Sequence, residues 1–316
     1  MQESNSENFN HLKIHSQFSI CEGAIKIDDL KDISKHKKLK ALGLCDTSNL
    51  CGALEFAEKL SKSGSQPIIG TQINFKFNDT TGLIPLFALN ENGYKTIIKL
   101  SSLSFLKNDE LSDPHLDLNE LLNNNEGVAI FSGTINGLFG QLFNKGKFSE
   151  ISEIFSKLKS NYGDRFYIEI QRHGDQNEKE FEKFNLISSK KLDIPIIATN
   201  EVFYINKDMH EAHDALICIK NKTYVNEKNR VRFSNNHYLK SSSEMVDLFA
   251  DLPEALENNY NFPFRCNFRP LSSKPILPNI SSDKGISADE ILKKNSLDGL
   301  NEKFINLFNL NDKDFL

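Results

Sequence analysis

Seven short apolar runs, most of them separated by segments of helical period, constrain this chain more than any other feature. They are "HLKIH" (11–15), "ALGLCD" (41–46), "PIIGTQINF" (67–75), "LIPLFAL" (83–89), "GVAIFSG" (127–133), "RFYIEIQ" (165–171) and "IPIIATN" (194–200). Most are continuously apolar, as strands covered on both faces must be. Between them, Ile151, Ile154, Phe155 and Leu158 fall at i, i+3, i+4 and i+7, and "LEFAEKLSKSG" closes on Gly64. Strand–helix alternation builds a parallel sheet with right-handed crossovers, open or closed. Seven strands favour closure into a barrel.

At 316 residues the chain is long enough for one domain of α/β-barrel size with part of another. A composition 39% hydrophobic and 26% charged excludes disorder as the dominant state. The net charge of -5 is not that of a polycation gripping phosphates by counterion release. Five cysteines without a C-x-x-C pair, no apolar signal core and no run long enough for a membrane helix point to a cytoplasmic protein with reduced thiols.

Residues 1–10 are polar and periodless and read as a flexible N-terminus. From 207 the pattern turns to helices and loops, and the Pro- and Ser-rich "RPLSSKPILPNISSDKG" (269–285) marks a boundary, so the main domain is placed at 11–275.

On a strand, His11, Lys13 and His15 share one face, and parallel α/β folds place their sites at strand C-termini. Alone, the pair of histidines reads as a strand end whose polar groups meet solvent or a loop. "MHEAHD" (209–214) has H-E-x-H spacing rather than the H-E-x-x-H of a zinc helix, so His213 and Asp214 are expected to cap or pack. "SGTINGLFG" (132–140) fits neither phosphate-loop pattern, and no G-x-S-x-G elbow occurs.

Five segments in order, "HLKIHSQFSICEGA" (11–24), "LKALGLCDTSNLCGALEFAEK" (39–59), "QPIIGTQINF" (66–75), "IPIIATNEVFYINKDMHEAHDALICI" (194–219) and "MVDLFADLPEALENN" (245–259), resemble the PHP domain of bacterial replicative DNA polymerase III alpha subunits. The resemblance implies a distorted seven-stranded parallel β/α barrel, TIM-barrel-like. It also implies that residues 276–316 are a linker and the incomplete start of a palm domain. The full-length relatives it implies are DNA-directed DNA polymerases, nucleotidyltransferases whose palm aspartates hold Mg²⁺. Those aspartates are expected outside this fragment, which is then inactive alone and carries no catalytic residue. The implied partners are the proofreading exonuclease (epsilon) subunit, the rest of the holoenzyme and, for the full-length protein, DNA, with no membrane.

The resemblance further implies a cluster of metal ions held by histidines and carboxylates, from which this chain departs. The family's His-x-His is Lys13-Ile14-His15, and an ammonium has no lone pair for a metal. Asp-His becomes Asp46-Thr47, Gly-x-Glu becomes Gly70-Thr71-Gln72, and Asn-Asp-x-His becomes Asn200-Glu201-Val202-Phe203. Two further ligand positions fall at Gly82 and Thr134. His15, Glu22 and Glu201 remain as residual candidates, too few for such a cluster. The expectation is a degenerate site with no metal or other cofactor bound, in which Lys13 neutralises Glu22, Glu201 or both. The plainer alternative has Lys13 reaching solvent. In function, a structural and exonuclease-docking module stands against a residual metal-dependent phosphoesterase, a 3'-5' exonuclease or pyrophosphatase.

Overall fold

Each of the seven apolar runs forms a strand in the computed structural model, which describes residues 9–109, 112–275 and 286–308. The strands are β1 (Lys13–Ile14), β2 (Ala41–Thr47), β3 (Gln66–Phe77), β4 (Thr80–Ala88), β5 (Leu116–Asp117), β6 (Val128–Phe131), β7 (Phe166–Ile170), β8 (Ile196–Ala198) and β9 (Glu201–Val202). The additions to the expected set, β5 and β9, are two-residue pairings too short to show a period.

The sheet runs β8-β7-β6-β4-β3-β2-β1-β9, with β5 beside β3. Its pairings are parallel except around β4, which is antiparallel to both β3 and β6. The cause is local. Only Asn78 and Asp79 separate β3 from β4, Asn78 has φ 53°, and a two-residue connection can only reverse the chain. The all-parallel expectation is corrected at this strand.

The ends of the ladder, β8 and β9, are separated in sequence by Thr199 and Asn200 alone. Three Cα steps of about 3.8 Å cannot span a flat sheet of this width, so the sheet curls until its edges meet. The result is a distorted α/β barrel.

Helices α1 (Ile27–Lys37), α2 (Ala53–Ser63), α3 (Glu91–Leu106), α4 (Leu118–Asn123), α5 (Leu138–Asn144), α6 (Phe148–Tyr162), α7 (Glu178–Leu192), α8 (His210–Asn221), α9 (Ser242–Leu248) and α10 (Pro253–Asn261) follow. Gly64 ends α2 in the left-handed region at φ 88°, where a Cβ would be strained. Ile14, Leu42, Leu44 and Ile69 pack with Leu30, Phe56 and Leu60 of α1 and α2. Residues of the opposite parity, Cys45, Ile68, Phe87, Phe131, Tyr167 and Ile197, form an inner cluster with Phe262. The same parity places Lys13, Thr47, Gln72 and Glu169 on that inner face.

Phe9 and Asn10 are buried, and Asn10 exchanges hydrogen bonds with Asn259, its N–H donating to Oδ1 at 2.8 Å and its carbonyl accepting from Nδ2 at 2.8 Å. The expected flexible stretch of 1–10 is therefore corrected at its last two residues, and residues 1–8 lie outside the described ones. The chain divides into two compact units between Leu271 and Ser272. The second contains α11 (Ala288–Phe308), started by a capping box in which Ser287 Oγ accepts from Glu290 N and the Glu290 carboxylate accepts from Ser287 N. Among the described residues no helix is long and apolar enough to cross a membrane.

Candidate functional site

The C-terminal ends of β1, β2, β3 and β7 converge with β9 on a buried polar cluster. At its centre the Lys13 side chain is wholly buried, its Nζ 3.3 Å from Glu201 Oε1 and 3.4 Å from Glu169 Oε1. At these distances the ammonium is an ion-pair bridge between two carboxylates rather than a short hydrogen bond to either. Burial works to strip its proton, and Glu169 and Glu201 outweigh burial and hold the ammonium above its usual pKa. The same balance acts on Glu201: burial raises its carboxyl, and Lys13 followed by His15 prevail and hold it well below the ordinary range. Lys13 does not reach solvent.

Glu169 was not among the sequence candidates. Its Oε1 also accepts from Gln171 Nε2 at 2.8 Å and from Thr199 Oγ1. The signal was a lone acid in the otherwise apolar "FYIEI", at the parity that faces the barrel interior.

His15 joins the centre through Nε2, 3.2 Å from Glu201 Oε1, while its Nδ1 lies 3.3 Å from Ser19 Oγ. Asp46 fixes the loop after β1 by accepting from Ser16 N, Ser16 Oγ and Ser19 Oγ at 2.7–2.8 Å. Phe203 stacks on the His15 ring, centroids 4.6 Å apart.

Glu22 stands apart from Lys13. Its carboxylate accepts from Thr47 Oγ1 at 2.5 Å and pairs with Lys220, while Gln72 Nε2 donates to Thr47 Oγ1 at 3.1 Å. Of the two partners expected for Lys13, Glu201 is the one it pairs with, joined by Glu169, while Glu22 pairs with Lys220 instead. Thr134 lines a crevice with Glu169 and Gln171, its Oγ1 accepting from Asn136 N at 3.1 Å. Gly82 pairs with Phe75 and presses on α5, where an added Cβ would lie 2.5 Å from Leu138 N, so no side chain fits there.

His210 and His213 bond to the carbonyls of Phe233 and Glu22, and Asp214 accepts twice from Arg230 at 2.6 Å. These are packing roles, not a zinc helix. One Asp-x-Asp pair does occur in the chain, Asp312-Lys313-Asp314, outside the described residues.

The metal cluster that the resemblance implies does not fit this centre. An ammonium stands between the carboxylates, Gln72 donates to Thr47 and Thr47 to Glu22, and an apolar ring covers His15. A cation beside Lys13 Nζ would meet like charge in a buried, low-dielectric setting.

Residues 11–173 match the PHP domain family. The chain is 37% identical over 294 residues to "DNA polymerase III subunit alpha" of Rickettsia felis, an alignment covering 92% of this chain and 24% of that protein. Identity is 34% over 313 residues to the protein of that name from Caulobacter vibrioides, covering 95% of this chain and 27% of that one. The Vibrio cholerae protein is 32% identical over 304 residues, 95% and 26% of the two chains. This chain therefore spans about a quarter of the length of the curated relatives it matches. Among solved structures, an amidohydrolase from Chromobacterium violaceum superposes with TM-score 0.42 at 10% identity, covering 61% of this chain and 87% of that one. That likeness is too distant to assign chemistry.

Proposed function

The chain belongs to the PHP domain family, and from that premise we propose that it is the N-terminal PHP domain of a replicative DNA polymerase III alpha subunit whose former metal centre is now held by a lysine. The observation that carries this reading is the buried Lys13 ammonium bridging Glu169 and Glu201. A fixed positive charge does there what divalent ions would otherwise do for buried carboxylates. On this reading the ligand positions Lys13, Thr47, Gln72, Gly82, Thr134 and Phe203 are silent, and His15, Glu22 and Glu201 serve structure rather than metal.

The domain is assigned to residues 11–275, with 276–316 leading into a palm. The polymerase activity, its Mg²⁺ and its contact with DNA belong to the full-length cytoplasmic protein. Within that protein the domain acts as a structural module that docks the proofreading exonuclease subunit. Supporting this is similarity over 92–95% of the chain to proteins named as the alpha subunit.

Two measurements test the reading. With Mn²⁺ supplied, bis-p-nitrophenyl phosphate is not hydrolysed above background, whereas turnover lost in Glu201→Gln would overturn the silent centre. Sedimentation with the exonuclease subunit of the same organism gives a complex, and separate boundaries would contradict the docking role.

A further inference from the structure

Beside the Lys13 centre lies a second cluster, built from none of the positions at which the family's ligands fall. We propose that His173, Asp175 and His237 bind one divalent first-row transition ion, Zn²⁺ by preference, which clips the loop after β7 to the segment preceding α9. One ligand atom from each residue can be chosen so that all lie within 4.8 Å of one another.

The hydrogen bonds around the rings decide where their lone pairs are. His237 Nδ1 lies 3.1 Å from the Glu201 carbonyl, which can only accept, so that nitrogen carries the proton and Nε2 the lone pair. His173 Nε2 lies 3.0 Å from Asn200 Oδ1. The amide of Asn200 is oriented by Lys240 Nζ, which donates to Oδ1 at 3.0 Å, and by its own Nδ2, which donates to the Tyr238 carbonyl at 2.9 Å. Glu201 N–H also points at His173 Nε2, from 3.3 Å; with the shorter Asn200 contact as the bond, Nε2 is the donor and Nδ1 bears the lone pair.

Both lone-pair nitrogens, His173 Nδ1 and His237 Nε2, are buried without a hydrogen-bond partner. Each faces a carboxylate instead: His237 Nε2 is 3.4 Å from Asp175 Oδ2, and His173 Nδ1 is 3.5 Å from Glu178 Oε1. Acceptors facing acceptors in a buried site are unfavourable unless a proton or a cation stands between them.

Two imidazoles and a carboxylate are donors that suit Zn²⁺. Zinc bonds of about 2.0–2.1 Å in a tetrahedron place ligand atoms about 3.3–3.4 Å apart, close to the His237–Asp175 separation. Each imidazole is anchored through its other nitrogen, as metal-ligating histidines are. The loop is already held in place, because Ser234 Oγ and Asn236 Nδ2 both donate to the His173 carbonyl at 2.8 Å. Glu178 accepts from His173 N and Gly174 N and so braces the loop, leaving the fourth coordination position to water beside the partly exposed Asp175. The rings stack with centroids 3.9 Å apart and 5° between planes, so their lone pairs lie in parallel planes and one ring must tilt to close on the ion.

The test is metal content after chelator treatment and equilibrium dialysis of the intact chain against buffered Zn²⁺. The expected result is one zinc per chain, with affinity lowered more than about tenfold in His237→Gln and in Asp175→Asn and unchanged in His15→Gln. Cobalt substitution of the unmutated chain checks the result independently of variant folding, through the strong visible bands of a tetrahedral site. Absence of stoichiometric binding to the folded chain, or a weak octahedral cobalt spectrum, overturns the proposal and leaves the Lys13 reading intact. Zinc lost in His15→Gln and kept in His237→Gln overturns both.

Discussion

Lys13 Nζ stands 3.3 Å from Glu201 Oε1, the lysine side chain wholly buried and the glutamate nearly so. Glu169 Oε1 lies 3.4 Å from the same ammonium. One buried cation thus serves two buried anions, an arrangement that tolerates the removal of no partner. That asymmetry makes the centre testable.

Rebuilding the family's ligands should require removing the lysine. Phe203→His alone leaves the ammonium in place, and Lys13→His alone leaves an apolar ring over His15. The double variant is expected to bind one additional Mn²⁺ per chain relative to the unsubstituted protein, counted by electron paramagnetic resonance. Additional binding by Phe203→His alone would show that the ammonium does not exclude metal.

His11 should report on acid stability. Its ring is buried with Nε2 2.9 Å from the Lys240 carbonyl, and burial, partly opposed by that hydrogen bond, lowers its pKa from 6.5 to about 4. A depressed folded value means the unfolded chain binds more protons between these pH values. The stabilisation is therefore complete above 6.5 and is lost as pH falls through about 4. His11→Gln should flatten urea midpoints across that window, and identical slopes for the two proteins would refute the assignment.

Gly43→Ala should destabilise the barrel through β1. A Cβ on Gly43 would lie 2.3 Å from the Leu12 carbonyl oxygen, and Gly43 N donates to His11 O at 2.7 Å in the same contact. Backbone cannot yield as a side chain tip can, so a loss of about 1–3 kcal/mol is expected from chemical unfolding. Unchanged stability would mean that β1 shifts freely, which the rigid seating of Lys13 does not allow.

The barrel was legible because seven of its strands lie in apolar runs long enough to show themselves, whereas β5 and β9 are two-residue pairings that leave no pattern. The direction of β4 was equally written in "FNDT", where two turn residues allow only a reversal, yet apolar pattern alone carries no strand direction. The degenerate positions could be read only against a family pattern, since Thr47, Gln72 and Phe203 are commonplace residues in themselves. Glu169 and Lys220 were missed for a different reason: ion-pair partners are chosen by the fold, and nothing in sequence spacing tied Lys220 to Glu22. His173 and His237 likewise meet only through tertiary structure.

The most direct test of the central claim is the pH dependence of stability in Lys13→Met. Without the ammonium, Glu169 and Glu201 are buried charges that only protonation can relieve. The folded pKa of Glu201, freed of the Lys13 charge that opposes burial, then rises above its unfolded value, so the variant loses stability as pH increases. The expected result is a loss of about 3–5 kcal/mol at pH 7 that shrinks markedly at pH 5, from urea unfolding. A variant as stable as the original, or one equally weakened at both pH values, would contradict the claim that Lys13 supplies the charge once carried by metal.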